Sequence, residues 1–133
     1  MPVKHRILVD ASVWIDYFRQ GEGGVVEKLN GYIESGSASV NGLVMAEIVP
    51  FVRSEREQRE VEQLLRGLHY LPFLDDDWAT VGRLQGILQK KSGNPVPVPD
   101  LVMAATCIRH GALLFTLDRH FQMIARHSDL KLV

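Results

Sequence analysis

A single cysteine, Cys107, occurs in the 133 residues. No intrachain disulfide is available, and a lone thiol suits a reducing cytoplasm. No apolar run approaches the roughly 20 residues that span a bilayer. The short apolar stretch behind the N-terminus looks like a strand and not a signal-peptide core. An excess of positive charge is missing too: the formal net charge is −1, which excludes the overall basicity of a non-specific nucleic-acid binder. Repeats and low-complexity segments are absent. What is present is 46% hydrophobic and 23% charged content, enough for one folded domain over 1–133 with a single core.

Strand-like and helix-like segments alternate along that domain. Arg6 to Val9 reads as a buried strand and Ser12 to Phe18 as a short helix. Gly21, Gly23 and Gly24 break the chain before a helix over Val25 to Glu34, with Val26, Leu29 and Ile33 at helical spacing. Ser37 to Asn41 fits a second strand. Leu43 to Phe51 is helical, with a kink or restart at Pro50, whose ring clashes with the carbonyl four residues back. Ser54 starts an amphipathic helix to about Leu68, and Tyr70 to Leu74 suits a third strand.

A helix from Asp76 to about Lys91 ends at Gly93-Asn94-Pro95, and another runs from Pro99-Asp100 to Gly111. Ala112 to Thr116 is a fourth strand, Arg119 to Arg126 a helix, and Leu130 to Val133 a last strand. This alternation implies an α/β three-layer sandwich around a mostly parallel five-stranded sheet. Ligands of such sheets bind at the carboxyl ends of strands, where the strand order reverses.

Four acids stand at the junctions. Asp10 follows Ile7-Leu8-Val9, Glu47 interrupts an apolar stretch, Asp100 opens a helix, and Asp118 follows Leu113 to Thr116. Each has an ordinary reading: Asp10 and Asp118 as helix caps, Asp100 as a complement to a helix N-terminus. Glu47 resists one, because its spacing from Leu43, Val44 and Phe51 puts it on an apolar face. A carboxylate there is paired with an inward Arg, protonated or bound to a metal. If the four converge, each pair about 5 Å apart repels by roughly 3 kcal/mol at an effective dielectric of 20. Such a cluster takes up protons or captures cations. All-oxygen ligands favour Mg²⁺ or Mn²⁺, whose chemistry suits a phosphodiester.

The runs Ile-Leu-Val-Asp10-Ala-Ser12-Val-Trp-Ile-Asp, Val44-Met-Ala-Glu47, Pro99-Asp100-Leu-Val-Met-Ala-Ala-Thr and Phe115-Thr116-Leu-Asp118-Arg-His-Phe121 resemble PIN-domain ribonucleases. They are most similar to the VapC-type toxins of toxin–antitoxin pairs, over nearly the whole chain. The resemblance implies strand order 3-2-1-4-5 and a metal-dependent endoribonuclease with one or two Mg²⁺ or Mn²⁺ ions. Asp10 and Asp118 then serve as the main metal ligands, and Glu47 and Asp100 complete the shell. Ser12 and Thr116 match the small hydroxyl residues that hold such a site together. The products implied are a 5′-phosphate and a 3′-hydroxyl. His120 stands where some relatives carry a further acid, which puts a full second-metal site in question. The implied partners are RNA, a small VapB-like antitoxin and a second copy in a homodimer, with Trp14, Tyr17 and Phe18 as candidates for the antitoxin groove.

Other readings are weaker. Gly21-Glu-Gly-Gly24 lacks the trailing Lys-Ser or Lys-Thr of a phosphate loop. Asp75-Asp76-Asp77 begins a helix, where acids complement the macrodipole. Asp16 and Asp129 read as solvated, Cys107 as a small core residue, and the five histidines lack zinc-ligand spacing. Among Arg19, Arg53, Arg83, Lys90, Lys91 and Arg119, Arg119 is the best RNA contact because it adjoins Asp118. A haloacid-dehalogenase-type phosphatase wants a second Asp where Ser12 stands. A degenerate or non-toxin PIN domain that binds RNA or a protein without cutting is the alternative from another functional class.

Overall fold

The computed structural model describes residues 5–19 and 23–133; Gly21 of the expected glycine break lies outside them. Five strands, β1 (Ile7–Val9), β2 (Ala38–Val40), β3 (His69–Tyr70), β4 (Leu113–Phe115) and β5 (Lys131–Leu132), form one sheet in the order β3-β2-β1-β4-β5. Every pairing is parallel. The expected three-layer α/β sandwich and strand order 3-2-1-4-5 are present.

The connections are helical: α1 (Ala11–Phe18) and α2 (Val25–Glu34) after β1, α3 (Gly42–Ile48) and α4 (Glu55–Arg66) after β2. α5 (Asp77–Ser92) and α6 (Val98–His110) follow β3, and α7 (His120–Arg126) follows β4. Right-handed crossovers place α1 to α4 on one face of the sheet and α5 to α7 on the other. β1 is the centre of this arrangement. Its three residues are buried, and the chain leaves it toward β2 on one side while β4 returns on the other. The order reverses there, so the carboxyl ends of β1 and β4 meet at the switch point.

The element boundaries follow local chemistry. Ser54 caps α4 by accepting the Glu57 N–H at 3.1 Å. Gly93 (φ 78°) and Gly111 (φ 62°) close α5 and α6 in the left-handed conformation that glycine adopts without strain. At Pro50, α3 stops and a single 3₁₀ turn over Val49–Phe51 continues the chain, as the missing N–H requires. β3 is shorter than the expected Tyr70–Leu74. Leu71 still donates its N–H to the Val40 carbonyl at 2.8 Å, but β2 ends at Val40 and Asn41 already caps α3, so the residues after Leu71 have no strand left to pair with.

The core is continuous across both faces of the sheet, with Leu8, Leu29, Leu65, Leu88, Leu101, Leu114, Phe121 and Ile124 fully buried. Trp14 belongs to it. Its ring is inaccessible, so it cannot line a partner groove, whereas Tyr17 and Phe18 are half-buried. Phe18 lines a cleft with Ile15, Ile48 and Phe51. Asp16 also departs from expectation. It is half-buried, and its Oδ2 is enclosed without a hydrogen-bond partner among the described residues.

Candidate active site

Asp10 leaves β1 at the first position before α1. Its backbone has the extended conformation of a capping residue, yet its side chain makes no capping hydrogen bond. Instead Oδ2 accepts the Ser12 hydroxyl at 2.7 Å and the Thr116 hydroxyl at 2.9 Å. The two hydroxyls lie 3.4 Å apart. Ser12 Oγ accepts the Leu117 N–H at 3.1 Å, and Thr116 Oγ1 accepts the Asp118 N–H at 3.0 Å. The Asp10 N–H also donates to the Phe115 carbonyl at 2.9 Å. The ordinary reading of Asp10 as a helix cap therefore fails, and its carboxylate is instead fixed at the junction of β1 and β4.

The other acids gather around it from three helical regions. Asp100 sits in the first turn of α6 and Glu47 near the end of α3, both half-buried. Asp118 precedes α7 and is exposed, accepting the His120 N–H at 2.9 Å on Oδ1. Burial pushes the Glu47 carboxyl above its ordinary range, and the charges of Asp10 and Asp100 push it the same way. Burial is also the main cause of the raised Asp100 pKa, followed by Asp118 and Asp10; His120 acts in the opposite direction. These mutual effects place Glu47, Asp100, Asp10 and Asp118 within one electrostatic neighbourhood. Among the described residues, neither Lys nor Arg forms an ion pair with any of the four. The inward Arg that would explain Glu47 structurally is not there.

His120 is a feature that sequence spacing did not bring forward. Candidate ligand atoms of Asp100, Asp118 and His120 lie within 4.8 Å of one another. His120 Nδ1 is 3.7 Å from Asp118 Oδ1. The Asp118–His120 spacing alone is uninformative, because the third member arrives from a helix 18 residues earlier. Asn41, at the end of β2, was read only as the end of a strand. It caps α3 by accepting the Val44 N–H at 3.0 Å and donates to Met103 Sδ of α6 at 3.5 Å. It thereby ties together the two helices that carry Glu47 and Asp100. An Asn directly before an apolar helical run is the signal that marks such a cap.

The remaining candidates are placed without special chemistry. Cys107 is buried and its thiol is pushed up to about 12, mainly by burial, so it is a core residue and not a nucleophile. Asp77 is buried and bound to Arg109 at 2.6 Å. Arg19 and Arg53 flank the cleft that contains Phe18, and Arg83 stands in a separate shallow depression. Arg119 is exposed in a small hollow with Thr116, Asp118 and Gln122. Four carboxylates with no Lys or Arg ion-paired to them among the described residues, one of them fixed by hydroxyls, form a donor set that suits a hard divalent ion.

Comparison with known proteins agrees with this architecture. Residues 7–127 match the model of the PIN domain. The chain is 28% identical over 130 residues to VapC ribonuclease Mb1587 of Mycobacterium bovis, covering 94% of this chain and 96% of that protein. Ribonuclease VapC11 of Mycobacterium tuberculosis matches with the same identity and coverage. Among solved structures, VapBC2 from Rickettsia felis bound to a promoter DNA fragment superposes with a TM-score of 0.77 at 20% identity, over 96% of both chains. VapBC from Salmonella typhimurium bound to DNA gives 0.75 at 17% identity, over 97% of both. The fold is shared with these structures, and the chain belongs to the PIN domain family.

Proposed function

We propose that this protein is a divalent-metal-dependent endoribonuclease and the toxin of a type II toxin–antitoxin pair, acting in the cytoplasm as one nuclease domain over residues 1–133. The observation that carries the reading is the Asp10 carboxylate, fixed by Ser12 and Thr116 and acting electrostatically on Glu47 and Asp100, with no Lys or Arg among the described residues paired to any of them. Membership of the PIN family supports it, as do relatives that bear the names VapC ribonuclease and ribonuclease VapC11.

In this reading Asp10 and Asp118 are the principal ligands of Mg²⁺ or Mn²⁺, with Glu47 and Asp100 completing the shell. When bound, the ion supplies charge neutralisation at the phosphoryl group and makes water an effective nucleophile at neutral pH. Ser12 and Thr116 hold Asp10 in one orientation, so no rotation is needed when substrate arrives. Glu47 and Asp100 orient the attacking water, and one of these carboxylates accepts its proton as the bond to phosphorus forms. Attack in line on phosphorus breaks the bond to the 3′ oxygen, leaving a 5′-phosphate and a 3′-hydroxyl that takes its proton from solvent. Arg119, exposed beside Asp118, is placed to meet the RNA backbone.

The proposed partners are a second copy of the chain and a small antitoxin. Solved relatives described as VapBC assemblies support the antitoxin. Its apolar anchor fits the cleft that holds Phe18, Ile15, Ile48 and Phe51. The test is cleavage of total RNA with Mg²⁺ or Mn²⁺, wild type against Asp10→Asn, with the cut ends sequenced. Loss of cutting in a folded variant, and in chelator, is expected. Equal activity of the two proteins, or full activity in excess chelator, overturns the proposal.

A further inference from the structure

We infer that His120 supplies a nitrogen ligand, beside Asp100 and Asp118, to the divalent cation of the proposed site, and that it biases the site toward Mn²⁺ over Mg²⁺. The inference rests on the metal-dependent reading above and adds a donor to it.

The geometry singles this residue out. Asp100, Asp118 and His120 present ligand atoms within 4.8 Å of one another. Two opposite ligands of one ion, at bonds of about 2.1 Å, stand about 4.2 Å apart. Small side-chain rotations therefore suffice to bring the three onto a common ion. The local backbone favours this. The His120 N–H donates to Asp118 Oδ1 at 2.9 Å, which fixes the start of α7 against that carboxylate and keeps the ring beside it. Nδ1 stands 3.7 Å from the same oxygen. The ring is otherwise uncommitted: the His120 side chain is 75% exposed, and among the described residues its only ion-pair partner is Asp118. Asp10 has the opposite situation, with one carboxylate oxygen already engaged by two hydroxyls.

The chemical consequence follows from the donor types. Mg²⁺ prefers oxygen ligands and near-ideal octahedral geometry, and it gives up water reluctantly. Imidazole suits the transition metals, and Mn²⁺ stands between the two classes because it also accepts carboxylates. A site of carboxylates plus one imidazole thus keeps its affinity for Mn²⁺ while gaining little for Mg²⁺. An acid at this position would add charge and favour both ions.

The test uses the full chain without RNA. Mn²⁺ and Mg²⁺ affinities are measured by titration for wild type, His120→Ala, His120→Asp and Asp118→Asn. The Mn²⁺-loaded proteins are then examined by pulsed electron paramagnetic resonance with ¹⁴N- and ¹⁵N-histidine labelling. Wild type is expected to show nitrogen coupling to Mn²⁺ that follows the label. His120→Ala is expected to lose the coupling and about 10-fold in Mn²⁺ affinity, with a much smaller loss for Mg²⁺. His120→Asp is expected to lack the coupling and to bind Mg²⁺ more tightly than wild type. Mn²⁺ binding that depends on Asp118 but shows no nitrogen coupling overturns this inference alone. Equal losses for the two ions in His120→Ala also overturn it. No Mn²⁺ binding by wild type overturns both it and the metal-dependent function.

Discussion

Thr116, just past the end of β4, donates its hydroxyl to Asp10 Oδ2 at 2.9 Å, joining two residues 106 positions apart in the chain. Parallel pairing of β1 with β4 makes this contact, because the register Val9↔Phe115 sets the next residues of both strands side by side. Ser12 adds a second donor to the same oxygen at 2.7 Å. The carboxylate is thus oriented by the folded chain before any ligand arrives. Such support shapes the metal affinity of the residue it holds.

Thr116→Val keeps the shape of the side chain and removes its hydroxyl. RNA cleavage is expected to fall by about 10-fold, the scale of losing a partner that orients a metal ligand. Thr116→Ser should retain most activity. Stability should change by about 1 kcal/mol, the net worth of one hydrogen bond. Steady-state cleavage and urea unfolding on the same preparations check this. Unchanged activity in Thr116→Val would remove Thr116 from the site.

Glu47 gives a prediction with opposite signs for stability and activity. Its folded pKa lies above its ordinary value of 4.5, through burial first and then the charges of Asp10 and Asp100. A carboxyl with a raised folded pKa stabilises the protein below the unfolded value, and that contribution is lost as pH rises through the folded one. Glu47→Gln keeps the shape and has no charge to develop. Without metal, the variant is expected to melt above wild type at neutral pH, with the difference closing below the ordinary 4.5. Added Mn²⁺ should raise the melting temperature of wild type more than that of the variant, and cleavage by the variant should fall. Scanning calorimetry across pH, with and without Mn²⁺, measures all three. A metal-free variant that melts below wild type at neutral pH contradicts the electrostatic account.

Much of the architecture was legible because local signals agreed with one another. Val25–Glu34 followed a glycine break and carried Val26, Leu29 and Ile33 at helical spacing, and Gly93 and Gly111 marked two helix ends by their freedom at positive φ. Pro50 announced the break after α3. The third strand was overread because its apolar residues fit a strand, while its partner β2 ends at Val40 and turns into α3. The acids were visible as residues at strand ends, but their company was not. Glu47 and Asp100 meet across helices that share no local sequence, and His120 joins Asp118 and Asp100 only through the fold. Asp16 was missed for the related reason that its neighbours are tertiary: one oxygen is buried although the helix period leaves it at the margin of the apolar face. Trp14, similarly, offers in sequence the same aromatic signal for a core and for a partner surface, and burial decides for the core.

The Asp77–Arg109 pair provides a control for stability without chemistry. Asp77 Oδ1 accepts Arg109 Nε at 2.6 Å, and Oδ2 accepts the Leu74 N–H at 2.8 Å. The Asp77 side chain is 4% exposed and that of Arg109 32%. The pair joins the start of α5 to the end of α6, so it fixes the helix hairpin whose other end presents Asp100. Removing one partner of a buried pair costs about 3–5 kcal/mol, and partial exposure of the guanidinium lowers this. Arg109→Met is therefore expected to lose about 2–3 kcal/mol in urea unfolding, because Asp77 is left charged and buried with one hydrogen bond. Asp77→Leu combined with Arg109→Met should recover part of that loss, since no uncompensated charge remains. Arg109 stands nine residues beyond Asp100, roughly 13 Å along the helix, so the folded Arg109→Met protein should cut RNA at the wild-type rate. A loss below about 1 kcal/mol would class the pair with ordinary surface ion pairs. Reduced cleavage per folded molecule would instead show that the α5–α6 hairpin sets the position of Asp100.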